Sequence, residues 1–349
     1  MNTVCCTLCR EKTQRNGVQL KARNNQDELF VVNEDGKLIH SGIIKCATND
    51  EKTAFGDAEL IFVTMPAFCM SDAAQKILPY ARKGMKICIV PGTGGGECAF
   101  KGCMEKGTVV FGLQRVPSVA RLVEYGKCVR ATGYRDELFV SAIPNSETEE
   151  CRKIIERIFD DMKCSALPMY LNLTLTPSNP ILHTTRLRIL YKDYYEGLVY
   201  DKIPLFYEDW TDETSKLLFK CDEEVQQICR ALDMFDLSCV KSLRIHYESD
   251  TPEALTRKIQ SIKGFKGITS PAKKVDRGYI PDFDSRYFTA DFPYGLAILV
   301  QIADFVGTES ENMKETLDWY KCFVKGAKDF DFSDYGINSF DVFIDFYIK

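Results

Sequence analysis

The segment Ala58–Pro66 reads AELIFVTMP and sets the fold class of the N-terminal half. Its apolar part, Leu60–Val63, shows no alternation of polar and apolar side chains, which indicates a strand buried on both faces. Met85–Val90 is a second such run, and the apolar residues of Ser71–Arg82 between them have helical spacing. Buried strands separated by a helix predict a parallel sheet covered by helices on both faces.

The C-terminal half has a different pattern. A helix is predicted over Glu147–Lys163, after Ser146 as its N-cap. Strand-like runs stop after Cys164, and further helices are predicted over Thr211–Leu232, Pro252–Ile262, Tyr294–Val306 and Met313–Val324. We therefore predict an α/β domain over residues 1–165 and an all-α domain over residues 166–349.

The N-terminal half resembles a dinucleotide-binding, Rossmann-like sheet in which Ala58–Val63 is the fourth strand. Such a sheet opens with a strand and the loop Gly-x-Gly-x-x-Gly, whose glycines let the backbone approach a pyrophosphate. Thr3–Cys6 is a candidate first strand, but only eleven residues separate Cys6 from Val18, too few for a loop, a helix and a turn. The first strand-helix unit is therefore expected to be truncated. Either this sequence has lost the loop, or the protein has abandoned the usual cofactor site.

Composition excludes several other classes. The 349 residues carry 45 basic and 50 acidic side chains, interspersed, so no basic surface for nucleic acid is expected. The most apolar stretch, Leu296–Val306, is broken by Gln301 and Asp304 and is too short to span a membrane. Met1–Arg15 lacks the apolar core of a signal peptide, so a cytoplasmic location is expected.

The cysteine pattern argues against a metal site. The fifteen cysteines are odd in number and lie mostly in apolar runs, which indicates reduced, buried thiols. Cys6 and Cys9 form a CxxC pair, but no second pair follows at zinc-ligand spacing and the chain has only three histidines. Structural zinc sites need four ligands, so no metal is predicted.

The segment Ser178–His183 reads SNPILH and carries the best candidate for proton transfer. Pro177 and Pro180 interrupt an apolar, helix-like run, so the chain is expected to kink and present His183 at the end of an element. An imidazole titrates near neutral pH and suits a proton donor beside a hydride acceptor. The alternative is the usual one for a lone histidine among apolar residues, a satisfied core residue.

A second segment, Ser285–Leu296, reads SRYFTADFPYGL. Together with SNPILH it resembles the octopine/nopaline (opine) dehydrogenase family, and longer strings resemble a bacterial subgroup of opine-dehydrogenase-like proteins. In the family pattern a Glu-Asp pair precedes a Pro-Tyr-Gly turn, and the aspartate hydrogen-bonds the histidine. The resemblance thus implies a catalytic dyad of His183 and Asp291, although Ala290 stands in place of the glutamate.

The resemblance also implies residues that bind substrate. Arg286 matches the family arginine expected to hold a carboxylate by a bidentate contact, with packing and solubility as the alternative. Asn179 belongs to the SNPILH string. Gln114 and Arg115, in FGLQRVPSVAR, are expected to reach toward the keto-acid site, or else to pair with Glu124 or a strand edge.

The implied cofactor is NADP or NAD. Pro66 follows the fourth strand, where the loop passes the cofactor. Gly92, Gly94 and Gly95 are expected beside the nicotinamide end, or in a plain tight turn. Arg23 follows the predicted second strand, where NAD enzymes place an acidic residue, so it favours the 2′-phosphate of NADP unless it is a solvated surface residue.

Two classes of function remain open at this point. In the first, the protein is an oxidoreductase that joins the amino group of an amino acid to a 2-oxo acid and reduces the imine with NAD(P)H. In the second, it is a catalytically silent relative or a ligand-binding protein without the phosphate loop. A ketopantoate reductase type is a third option, weakened because those enzymes usually place lysine in the proton relay. Partners are expected to be small molecules, with no nucleic acid or membrane, and a homodimer is left open.

Overall fold

The structure is a computed structural model that describes residues 6–8, 28–44, 46–176, 178–324, 326 and 328–348. Its strands are β1 Cys6–Leu8, β2 Glu28–Val32, β3 Leu38–Ile43, β4 Cys46–Thr48, β5 Leu60–Val63, β6 Lys86–Ile89, β7 Val109–Leu113, β8 Val119–Glu124, β9 Cys128–Thr132, β10 Glu137–Ile143, β11 Lys163–Ala166, β12 Ala272–Val275 and β13 Gly278–Pro281. Its α-helices are α1 Glu51–Phe55, α2 Met70–Ile77, α3 Gly96–Ala99, α4 Lys101–Glu105, α5 Thr148–Ile158, α6 Leu171–Thr174, α7 Ser178–Leu190, α8 Asp212–Ala231, α9 Leu243–His246, α10 Pro252–Ser261, α11 Ala297–Val306, α12 Glu311–Phe323 and α13 Phe340–Tyr347, and a π-helix spans Tyr287–Leu296.

The described chain divides into two compact units. The first contains the described residues up to Met65, Cys69–Gly92 and Ala99–Ala166, and the second contains Pro66–Phe68, Thr93–Cys98 and the chain from Leu167 onward. The first unit is α/β and the second is helical, as the sequence predicts.

A five-stranded sheet in the order β11-β10-β7-β6-β5 is the centre of the first unit. Strands β5, β6 and β7 are parallel, whereas β10 runs antiparallel to β7. Alternate side chains of β6 enter two different cores: Ile87 and Ile89 pack with α2, and Cys88 packs with α5. This two-sided burial explains why the strands read as continuous apolar runs.

The partner of β1 determines its place in the fold. Cys6–Leu8 pairs in parallel with Cys46–Thr48 in a separate two-stranded sheet. A dinucleotide-binding fold places its first strand beside the fourth, and its second beside the third. Because β1 pairs with β4 and not with β5, it has the partner of a second strand, and the assignment of Cys6 to a first strand is wrong. The second strand predicted just before Arg23, Gly17–Ala22, lies outside the described residues.

Three sequence predictions need correction, one in the first unit and two in the second. The helix predicted over Glu147–Lys163 ends at Ile158, and Lys163 begins β11, which pairs with β10. An antiparallel hairpin of β12 and β13 adds strands to a half predicted as all-α. The expected Pro-Tyr-Gly turn is part of the π-helix Tyr287–Leu296. Short polar strands such as AKKV lack the periodicity that would have revealed them.

Two buried carboxylates of α8 satisfy the first N–H groups of other helices. Glu224 accepts from the backbone N–H groups of Asn312 and Met313 at the start of α12, at 2.7 and 2.9 Å. Asp222 accepts from the N–H of Leu243 at the start of α9, at 2.9 Å. Glu224 replaces the side-chain cap that Ser310 does not provide for α12, whereas Asp222 adds to the cap of α9, where the Ser242 hydroxyl accepts from the N–H of Ile245. Within the described ranges, no helix is long and apolar enough to cross a membrane.

Asp222→Asn should change the pH dependence of stability. Burial is the largest of the effects that raise the pKa of Asp222, from 3.8 to about 6. The folded state therefore binds this proton more tightly than the unfolded state, and the carboxyl penalises folding increasingly as the pH rises from about 4 to above 6. Two pKa units correspond to about 3 kcal/mol, so the variant should gain up to that much relative to the unaltered protein across this window.

Urea unfolding at pH 4 to 8 measures the effect. Asp233→Asn, at an exposed position just beyond α8, is the matched control for the loss of one negative charge. A constant difference between Asp222→Asn and the unaltered protein at every pH would contradict the assignment.

Candidate active site

His183 lies in the second turn of α7, near the start of the helix. Pro180 is in the first turn, where the missing N–H has no intrahelical acceptor, so it starts the helix instead of kinking it. Pro177 lies outside the described residues. The histidine is 9% exposed, and Phe206 and Tyr287 contact its ring edge-on, at centroid distances of 5.5 and 4.7 Å. The predicted kink is wrong, and His183 lies inside α7, a continuous helix of 13 residues, instead of at the end of an element.

The π-helix brings Asp291 to this histidine. Its wider turn accommodates Pro293, and the N–H of Ala297 reaches back five residues to the carbonyl of Phe292. Gly295 lets the π-helix approach α7 closely, since a Cβ there would lie 3.0 Å from Pro180. A Cβ at position 295 would require Pro180 to move by a few tenths of an ångström.

The two members of the predicted dyad are hydrogen-bonded. Asp291 Oδ2 lies 2.8 Å from His183 Nδ1, although the residues are 108 positions apart in sequence. An ionised carboxylate only accepts hydrogen bonds, so Nδ1 carries a hydrogen and Nε2 is the nitrogen that changes protonation. The arrangement fixes the orientation and tautomer of the ring and stabilises its charged form.

Tyr207 is a third member that the sequence analysis did not select. Its hydroxyl lies 2.8 Å from His183 Nε2, and its ring stacks on Phe265 at a centroid distance of 4.0 Å. Burial, followed by the nearby Tyr287, raises the pKa of Tyr207 above its ordinary value, so the phenol is neutral. Residues 205–207 read LFY, and nothing in their spacing points to the histidine.

The predicted substrate residues are distributed over both units. Asn179 is exposed one turn before His183 on α7, and Arg286 is exposed just before the π-helix that carries Asp291. Gln114 and Arg115 are half-buried in the first unit, directly after β7. The backbone N–H of Gln114 donates to the carbonyl of Phe139 at 2.9 Å, which holds this segment to β10. Their roles in binding substrate stay predictions.

The predicted cofactor residues follow neighbouring strands. Pro66 comes after β5, and Gly92 comes after β6. The backbone N–H of Gly92 donates to the carbonyl of Leu113 at 2.7 Å. The carboxyl ends of parallel strands are where this class of sheet binds dinucleotides. Arg23 lies outside the described residues.

Packing within the protein favours glycine at two positions of the glycine-rich segment that follows β6. Gly94 and Gly95 have φ values of +79° and +71°, which favour glycine. A Cβ on Gly94 would lie 3.0 Å from the Cβ of Ala67, and one on Gly95 would lie 2.2 Å from the ring of Phe330. Contacts within the protein thus explain both glycines without a cofactor, and their cofactor role stays a prediction.

Glu97 follows this segment as a fully buried carboxyl that the sequence analysis also missed. Its Oε1 accepts from the Tyr347 hydroxyl at 2.7 Å and from Thr174 at 3.0 Å, while Oε2 has no partner. Burial raises the pKa of Glu97 above its ordinary value. The residue ties the segment to α13 and to α6.

Residues that follow adjacent parallel strands are the ones that could hold a dinucleotide, and their role in binding it stays a prediction. Pro66, Gly92 and Gln114 follow adjacent strands at the expected edge, but a phosphate loop of the Gly-x-Gly-x-x-Gly type is not among the described residues. No group of His, Cys, Asp and Glu able to hold a metal ion occurs in the part of the chain that the structure describes.

Comparisons with known proteins agree with this geometry. Residues 166–324 match the family model for the alpha-helical domain of NAD/NADP octopine/nopaline dehydrogenase. The chain is 27% identical to tauropine dehydrogenase of Arabella iricolor over 296 residues, which covers 78% of this chain and 72% of that protein. It is also 27% identical to an uncharacterized protein of Sinorhizobium fredii over 299 residues, covering 78% and 77% of the two chains.

Solved structures of octopine dehydrogenase have the same fold. The complex with NADH and L-arginine superposes with a TM-score of 0.80 at 24% identity, over 91% of this chain and 86% of that one. The complex with NADH and pyruvate gives a TM-score of 0.79 at 22% identity, over 92% and 86%. The chain therefore has the fold of octopine dehydrogenase, and residues 166–324 are similar to the alpha-helical domain of NAD/NADP octopine/nopaline dehydrogenase.

Proposed function

We propose that this protein is an NAD(P)H-dependent oxidoreductase that condenses the amino group of an amino acid with a 2-oxo acid and reduces the imine. The observation that carries the proposal is the 2.8 Å bond between His183 and Asp291. The solved octopine dehydrogenases hold NADH with L-arginine or with pyruvate, which supports an amino acid and a 2-oxo acid as the two substrates.

His183 manages the protons of this reaction. Its charged form, held by Asp291, is the donor as the carbonyl oxygen leaves as water. NADH or NADPH, when bound, supplies the hydride to the imine carbon. Gly92, Gly94 and Gly95 would lie beside the nicotinamide, and Pro66 beside the adjoining part of the cofactor.

Charged and polar side chains select the substrate carboxylates. Arg286 offers a planar guanidinium that binds a carboxylate with two parallel hydrogen bonds. It is exposed, so a ligand can reach it. Asn179, Gln114 and Arg115 provide further hydrogen-bond donors for the amino acid and the 2-oxo acid.

The proposal includes the cytoplasm as the compartment and a homodimer as the oligomeric state. The cysteines whose side chains are described are free thiols, as expected in a reducing compartment.

The support for a homodimer comes from the four-stranded sheet β3-β2-β9-β8. Leu38 and Ile43 on β3, and Leu122 on β8, are 53%, 66% and 62% exposed, and exposed apolar side chains on one sheet support self-association. A monomeric mass by light scattering at micromolar concentration would reject the dimer.

His183→Ala should abolish turnover while leaving NAD(P)H binding intact, because the residue handles protons and not phosphates. We expect kcat to fall by about a hundredfold to ten-thousandfold, the usual worth of general acid-base catalysis. Asp291→Asn should also lower kcat, since an amide stabilises the charged imidazole less than a carboxylate does.

A screen of L-amino acids with pyruvate, oxaloacetate and 2-oxoglutarate, followed by NADH or NADPH absorbance, supplies the assay. His40→Ala, an exposed histidine on β3, is the matched control. Near-full activity in His183→Ala would show that the proton donor is misassigned. Binding of the substrates without turnover in the unaltered protein would favour the catalytically silent alternative.

Arg286→Ala should mainly raise the KM for the 2-oxo acid, because the guanidinium binds the ground state and the transition state alike. Arg277→Ala, an exposed arginine between β12 and β13, should change neither constant. An unchanged KM with a lowered kcat would place Arg286 in the chemical step instead.

Arg23→Ala should lower the preference for NADPH over NADH, because a guanidinium pairs with the 2′-phosphate. Fluorescence titration with both nucleotides, before and after the substitution, measures the ratio of the two dissociation constants. An unchanged ratio removes Arg23 from the cofactor site.

A further inference from the structure

Both ring nitrogens of His183 are bonded inside the protein. Nδ1 lies 2.8 Å from Asp291, and Nε2 lies 2.8 Å from the hydroxyl of Tyr207. Because the carboxylate keeps the hydrogen on Nδ1, the proton that the imidazole can give away is the one on Nε2. In this geometry that N–H points at a tyrosine oxygen and not at open space, so a proton leaving His183 reaches Tyr207 first.

The chemistry of a tyrosine hydroxyl suits a relay. It has one O–H donor and two acceptor lone pairs, so it can accept from Nε2 while it donates to a further group. Tyr207 is 5% exposed, and its raised pKa, due first to burial, keeps the phenol from ionising. A hydroxyl that stays neutral can pass a proton on without storing charge.

Arg186 holds the segment that carries Tyr207. It lies three residues after His183 on α7, is 2% exposed, and donates to the carbonyls of Leu205, Phe206 and Asp209 at 3.1, 2.9 and 2.9 Å. These acceptors lie on both sides of Tyr207 in sequence. The helix that carries His183 therefore also fixes the backbone around Tyr207. These bonds set the distance between the Tyr207 hydroxyl and the His183 ring.

We propose that Tyr207 is a catalytic residue that relays the proton from His183 to the substrate, a role that rests on the proposed function. The Nε2–H bond breaks as an O–H bond forms on Tyr207. The original phenol O–H bond breaks at the same time, and its proton bonds to the substrate heteroatom. Tyr207 is neutral before and after, the imidazolium becomes a neutral imidazole bonded to Asp291, and water leaves from the condensing carbonyl.

Tyr207→Phe removes one oxygen and keeps the ring that stacks on Phe265. We expect kcat to fall at least about a hundredfold, the lower end for general acid-base catalysis, while circular dichroism and NAD(P)H affinity stay unchanged. Tyr191→Phe is the matched control, because its hydroxyl also makes a buried 2.8 Å bond, to the carbonyl of Pro271. It should leave turnover per folded molecule unchanged.

A proton inventory tests the relay without any substitution. In mixtures of H2O and D2O, under conditions in which chemistry limits the rate, two protons in flight give a curved dependence of kcat on deuterium fraction. The residual activity of Tyr207→Phe should give a straight line.

The outcomes separate the relay from the function on which it rests. Near-full turnover in Tyr207→Phe, or a straight inventory for the unaltered protein, would overturn the relay and leave the dehydrogenase intact. The hydroxyl would then be a group that substrate displaces from Nε2. Absence of turnover in the unaltered protein with every substrate pair would reject the proposed function and the relay together.

Discussion

The close packing of α7 against the π-helix is the contact on which the candidate active site depends. Gly295 has no side chain to hold Pro180 away, so the two helices approach until Asp291 and His183 are 2.8 Å apart. The widened turn of the π-helix absorbs Pro293, which would break an α-helix at the same place. The dyad is therefore a product of backbone geometry as much as of the two residue types.

Buried charged and polar side chains of the helical unit satisfy backbone groups and other side chains. Glu224 and Asp222 cap helices that begin far away in sequence, and Arg186 binds the carbonyls of a loop. A buried charge without partners is costly, so each of these contacts restricts where the connected segment can lie. These contacts explain how a unit with many short helices keeps the Tyr207 hydroxyl within hydrogen-bonding distance of His183.

The first unit places its polar groups by strand order. Because β5, β6 and β7 are parallel, the residues that follow them meet at one edge of the sheet. Gly92 follows β6 at this edge, and Ala67 and Phe330 already require Gly94 and Gly95 in the residues after it. Glycine-rich composition near a nucleotide-binding edge therefore does not by itself identify a contact with the cofactor.

Sequence alone determined the class of each unit and the residue types of the site. Continuous apolar runs predicted buried parallel strands, since only strands covered on both faces tolerate such runs. The SNPILH and SRYFTADFPYGL strings identified His183 and Asp291 as candidate site residues. Sequence reasoning gave the wrong place for β1, extended one helix to Lys163, and passed over Tyr207 and Glu97. Those features depend on partners distant in the chain: β1 is defined by pairing with β4, and Tyr207 by a histidine 24 residues away on another element. Only the tertiary structure decided them, because local periodicity records which face of an element is buried and carries no information about which distant group lies against it.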